Sequence, residues 1–89
     1  ETLMVGRIVF SKAGRDKNHP MVVVSADDKF LYLCDGKERP LEKPKRKNVK
    51  HTAFTNTFLD ENSYKTDKAL RRELARLRSD GLKGRNQSV

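Results

Sequence analysis

The chain is predicted to be mainly β: a small barrel of short strands, followed by one C-terminal α-helix and a flexible tail. Three observations lead there. Runs of Val, Ile, Phe, Tyr and Leu recur in the first half of the chain between clusters of Gly, Asp, Asn and Pro. Leu70, Leu74 and Leu77 then repeat at helical spacing. The chain has 89 residues, of which 35% are hydrophobic and 36% charged; it can build one small core, with part of its length outside that core.

Residues 4–11, Met-Val-Gly-Arg-Ile-Val-Phe-Ser, mix apolar and polar side chains at near-alternate positions and read as a half-buried strand. Residues 12–20 carry Gly14, Asp16, Asn18 and Pro20, the residues of a loop with its own turn chemistry. Met21 to Val24 make a second strand, Asp27-Asp28 a turn, and Phe30 to Cys34 a third strand. Asp35-Gly36 ends it and readily supplies the positive φ of a tight hairpin. Short segments around Leu41 and around Val49-Lys50-His51 complete five strands, a number that suits a closed barrel without unpaired edges. Between those two segments, residues 42–48 are expected to loop out toward water or phosphate. Pro44 interrupts any ladder there, and the cations would repel one another in a packed interior. The barrel is thus assigned to residues 1–56, and residues 57–89 to a connection, a helix and a tail.

After a connection rich in Thr and Asn, Thr66 can cap a helix and Asp67 suits the positive end of its dipole. The helix is expected over about residues 67–79, with Gly81 as its stop. Its leucines form one narrow stripe, and Lys68, Arg71, Arg72, Arg76 and Arg78 fall on the other side. Residues 80–89, with two glycines and few apolar groups, are expected to be flexible.

The net charge is +8 and lies unevenly. Residues 1–36 hold five Lys and Arg against five Asp and Glu, residues 37–51 seven against two, and residues 52–89 eight against five. All the excess follows Gly36, a directed field that favours a polyanion or an anionic membrane surface; the absence of any membrane signal in the sequence leaves the polyanion as the expected partner. Other classes are set aside on composition. The single Cys34 excludes an intramolecular disulfide and fits a reducing cytoplasm. No apolar run nears the roughly 18 residues of a membrane span, and no signal-peptide pattern opens the chain. Asn86-Gln87-Ser88 has the form of a glycosylation acceptor, but nothing argues for the secretory route it needs. His19 and His51 have no partners at metal-ligand spacing, and no phosphate-cradling Gly-x-x-x-x-Gly-Lys run occurs. Neither enzymatic chemistry, a cofactor, a metal nor a small-molecule substrate is expected.

Residues 6–17, Gly-Arg-Ile-Val-Phe-Ser-Lys-Ala-Gly-Arg-Asp-Lys, followed by Met21 to Val24, resemble the KOW motif: a strand, a loop with glycine at its tip and a second strand. Asp35-Gly36, the basic run and Asn48-Val49-Lys50-His51 look like the corresponding parts of archaeal and eukaryotic large-subunit ribosomal proteins of type fourteen, a likeness that covers about residues 4–56. The resemblance implies an SH3-like barrel that binds RNA through its loops. Ribosomal RNA and neighbouring ribosomal proteins are then the expected partners. Transcription and RNA-processing factors with the same barrel are the nearest alternative.

The residues themselves support phosphate contact. Gly14 lets the backbone adopt positive φ and approach a sugar-phosphate chain closely, while Lys12, Arg15 and Lys17 flank it; Asp16 either caps the turn or orients Arg15. Lys43, Lys45, Arg46, Lys47 and Lys50 form a second set of cations, with His51 beside them, and Arg71, Arg72, Arg76 and Arg78 a third on the helix. Of the aromatic residues, Phe10, Phe30 and Tyr32 are expected in the core, whereas Phe54 and Phe58 stand equally as packing or partner-binding residues. A reading of another class makes the chain an adaptor that docks the Leu70, Leu74 and Leu77 edge on a partner protein.

Overall fold

Among the described residues five strands occur, β1 (Arg7–Ser11), β2 (Pro20–Ala26), β3 (Phe30–Cys34), β4 (Lys45–Asn48) and β5 (Thr52–Phe58), followed by the helix α1 (Asp67–Ser79). The computed structural model describes residues 4–81. The tail from residue 82 onward, expected to be flexible, and the Asn86-Gln87-Ser88 tripeptide lie outside the described residues. All strand pairs are antiparallel, in the spatial order β4-β3-β2-β1-β5. Val9 faces Met21, Val23 faces Leu33 and Leu31 faces Lys47.

The mainly β class is thus present, but the sheet is open: β4 and β5 are its two edges and do not pair. The seam between them is spanned by a 3-10 turn, Val49–His51. The Val49 N–H donates to the Lys29 carbonyl at 2.8 Å, and the Lys12 N–H donates to the His51 carbonyl at 2.8 Å.

Strands four and five lie elsewhere than the sequence suggested. Leu41 is in a turn, where its N–H donates to the Asp67 carboxylate at 2.8 Å, and Val49-Lys50-His51 is the 3-10 turn. Of the basic run expected to loop out, Lys45 to Asn48 are β4, and only residues 42–44 lie outside it. An edge strand needs a ladder on one side only, which admits Pro44 before it and the cations in it, and the alternation of side chains along it leaves Lys45 and Lys47 half-buried and Arg46 in water. Pro44 immediately precedes the strand, where a missing donor is harmless. Lysines along such an edge also discourage further strand pairing. β5 occupies the stretch read as a connection, because threonine, although polar, is a strong β former.

The two faces of the sheet bury different sets. Ile8, Val22 and Cys34 on one face pack with Leu59, Leu70, Leu74 and Leu77, whereas Val9, Met21, Val23, Leu31 and Leu33 cluster on the other. The leucine edge of α1, considered as a docking edge for a partner, is therefore occupied by the chain's own sheet. Leu70, Leu74 and Leu77 are 0%, 3% and 9% exposed, and burial of each contributes about 1.5–3 kcal/mol. A short helix marginal in water is held by this face rather than by propensity.

The helix bounds agree with expectation. Thr66 caps α1, its hydroxyl accepting the Ala69 N–H at 3.1 Å, and Gly81 follows the end at φ 87°. Gly36 has the anticipated positive φ of 80°, but not as a tight hairpin. The link from β3 to β4 spans residues 35–44, and the Asp35 carboxylate folds its start by accepting the N–H groups of Lys37 and Arg39, each at 2.9 Å. Among the described residues no helix is long and apolar enough to cross a membrane.

Candidate nucleic-acid interface

β1 ends at Ser11, and the chain turns back through a tight loop. Gly14 has φ 80° and its carbonyl accepts the Lys17 N–H at 3.1 Å; Asn18, at φ 66°, donates its N–H to the Ser11 carbonyl at 3.1 Å. The positive φ expected at Gly14 is present, and the space above it is open apart from Lys47 Nζ, 3.9 Å from where a Cβ would lie. Lys47 reaches this loop from β4. Its ammonium donates to the Ser11 hydroxyl at 3.0 Å and to the Ala13 carbonyl at 3.4 Å. The Lys12–His51 backbone bond adds the 3-10 turn to the same place.

Sequence-distant members of the proposed set thus meet at one end of the sheet: Lys12 and Gly14 from the loop, Lys47 from β4, and Lys50 with His51 from the turn. Lys47 acts as a strut between loop and strand. Lys12, Lys17, Lys43, Lys50 and His51 are exposed, Lys45 is half-buried, and Arg46 is exposed with its guanidinium 4.5 Å from the Phe30 ring centre.

Other members lie apart. Arg15 pairs with Glu38 at 2.9 Å in full solvent, a contact worth at most about 1 kcal/mol. Asp16 does not orient Arg15; it is 7% exposed and binds Arg39 at 3.0 Å, tying the loop to the β3–β4 link. Arg71 donates to the Gly36 carbonyl at 2.7 Å and so holds the helix start in place. Arg76 is engaged by Glu73 and by Asp80, the latter at 3.1 Å, and the Glu73 carboxylate beside it pushes its pKa up. Arg78 reaches His19 Nδ1 at 3.4 Å. Arg15, His19, Lys37 and Arg78 share a depression with Asp16, Asp35 and Glu38, so its field is nearly balanced. Arg72 is exposed on the helix.

The aromatic residues also divide. Phe10 is buried as expected, but Phe30 and Tyr32 are only half-buried. Phe30 lies under Arg46, and the Tyr32 hydroxyl donates to Asp27 at 3.3 Å. The Phe30 and Lys29 backbone N–H groups hold the Asp27 carboxyl below the usual carboxylate range. On β5, Phe54, Asn56 and Phe58 are exposed at alternate positions, the two rings at 38% and 51%. The Arg7 guanidinium lies 5.4 Å from the Phe54 ring centre and 4.6 Å from that of Phe58. Arg7 and Asn56 were not anticipated. Their signal was the period-two pattern of Thr-Ala-Phe-Thr-Asn-Thr-Phe, hidden because its threonines look like loop polarity.

Burial, helped by Asp67 and Asp35, pushes the Cys34 thiol up to about 11, which leaves it protonated and unreactive at neutral pH. Among the described residues no three His, Cys, Asp or Glu side chains gather in a way that could hold a metal. The chain matches no known protein-family model and no curated protein.

Proposed function

We propose that this chain is an RNA-binding protein without enzymatic activity, seating the loop end of its sheet on the phosphates of large-subunit ribosomal RNA. The observation that carries this is the convergence at Lys47, whose ammonium joins the glycine loop after β1 to the basic edge strand. Lys12, Lys17, Lys45, Arg46 and Lys50 belong to the loop, strand and turn that meet there, and among the described residues none of the five is in a salt bridge. Cations without internal carboxylate partners are free to replace condensed counterions on a phosphate chain. Such contacts position a protein, and selectivity then comes from RNA shape and from unpaired bases.

The finer assignment follows the resemblance of the β1–loop–β2 segment to KOW domains, which makes this a member of the SH3-like barrels with one seam left open. Association with the large subunit, with ribosomal proteins as neighbours in the cytoplasm, follows the likeness of Asp35-Gly36, the basic run and Asn48-Val49-Lys50-His51 to the type-fourteen proteins. RNA titration at several salt concentrations tests the binding surface. Five phosphate contacts give a slope of log K against log salt of about −3.5 on single strands, and Lys12→Ala, Arg46→Ala and Lys50→Ala together reduce its magnitude by about 2. An unchanged slope in the folded triple variant refutes this surface. Crosslinking in cells should recover large-subunit ribosomal RNA; recovery of nascent transcripts alone would move the assignment to a transcription factor.

A further inference from the structure

The outer face of β5 has no role in the phosphate surface, yet it is built with care. Two phenylalanines in a small sheet remain half in water, the largest exposed apolar side chains among the described residues together with Val5. They are also held firmly. The β1–β5 register shifts between Arg7 and Val9, and the bulge is locked by Thr55, whose buried hydroxyl donates to the Ile8 carbonyl at 2.7 Å and accepts the Thr57 N–H at 3.1 Å. Bulges of this type re-aim neighbouring side chains. Arg7 Nη1 donates to the Thr55 carbonyl at 3.1 Å, which fixes the guanidinium over both rings. Beside Phe54 a shallow depression is lined by Lys12, Thr52 and Ala53.

We propose that Phe54 and Phe58, with Arg7 over them and Asn56 between them, form a stacking platform for unpaired nucleobases of the RNA strand whose phosphates lie on Lys12 and its neighbours. The proposal rests on the RNA-binding reading above and adds to it the strand chemistry that is bound. Charge and polarity select this occupant. An apolar protein surface placed here would have to bury the exposed Asn56 amide and what remains exposed of the Arg7 guanidinium, whose Nε is already buried without a partner, at the cost of their hydration. An unpaired nucleotide instead brings a π face for the rings, a polar edge for Asn56, and a phosphate within the field of Arg7 and Lys12. Aromatic stacking of this type tolerates any base, so the platform selects single-stranded segments rather than a sequence.

The chain has no tryptophan, so Phe54→Trp places a single indole reporter on the platform and preserves its aromatic surface. Titration of the F54W protein with an unstructured uridine-rich oligonucleotide should quench its emission, and a blunt duplex of equal charge should not. Phe54→Ala and Phe58→Ala should each weaken single-strand binding about 5- to 150-fold with the salt slope unchanged, because no phosphate contact is lost. If the wild-type protein binds no RNA, this proposal and the RNA-binding reading fail together. If it binds with a steep salt slope while both alanine variants bind as tightly and F54W is not quenched, or is quenched equally by duplex, the platform alone is overturned. A concentration-dependent change in F54W emission without RNA would assign the face to a second copy of the chain, and the proposal would again fall.

Discussion

Gly36 and Gly14 form a matched pair that isolates one contact in the docking of the helix. Both have φ 80°, so replacement by alanine imposes on each the same left-handed strain, about 1–2 kcal/mol. Their surroundings differ. A Cβ at Gly14 would meet nothing closer than Lys47 Nζ at 3.9 Å, the movable end of a long side chain. A Cβ at Gly36 would lie 2.6 Å from the Asp67 carbonyl oxygen and 3.3 Å from the Arg71 nitrogen, both backbone atoms of the first turns of α1. Backbone cannot rotate away, so the helix must shift, and with it the Arg71–Gly36 hydrogen bond and the packing of Leu70. Overpacking of this type costs about 1–3 kcal/mol more, which places Gly36→Ala at about 2–5 kcal/mol against about 1–2 kcal/mol for Gly14→Ala. Urea denaturation of the three proteins without RNA, read at equal m-values, measures the difference. A Gly36→Ala cost equal to or below that of Gly14→Ala would show that α1 does not press on this turn, and the assignment of the helix to the core of the sheet would be wrong.

Leu70→Ala should destabilise the protein by about 2–5 kcal/mol, since the side chain is fully buried between helix and sheet; a loss under about 1 kcal/mol in thermal or urea unfolding would contradict that packing. Cys34 predicts a pH effect at the alkaline end. Its thiol is raised from an ordinary 9.0 to about 11 in the folded state, so the stabilisation is complete below pH 9 and is lost as pH rises toward 11, because the unfolded chain releases the proton first. Stability measured against pH should therefore fall more steeply over that window in the wild type than in Cys34→Ala, and parallel curves would refute the shift.

Much of the architecture was legible in local chemistry. The strands at β1, β2 and β3 were visible because β-branched and aromatic side chains alternate or run together between turn residues, and α1 because its cap, leucine spacing and terminal glycine lie within a few residues of one another. The conformation of Gly14 followed from the need for positive φ at the tip of a tight loop. Local chemistry was misleading where polarity stood in for conformation. The cations of β4 and the threonines of β5 read as loop, yet each segment is an edge strand, and an edge needs a ladder on only one side.

The sequence by itself determined the mainly β class, the order of the first three strands, the helix α1 and the concentration of positive charge after Gly36, all properties of residues within a few positions of one another. Only the tertiary structure decided which cations remain available. Arg71 and Arg15 resemble Lys12 and Lys50 as letters, but the first two meet a carbonyl and a carboxylate brought to them by the fold, and the last two do not. Likewise Leu70, Leu74 and Leu77 could have served a partner, but docking of α1 on one sheet face buries them, whereas Phe54 and Phe58, open to either role, stand exposed on β5. The reason is geometric: the burial of a side chain and the counter-charge beside it depend on segments distant in the chain, and their approach is set by the packing of the whole sheet against the helix.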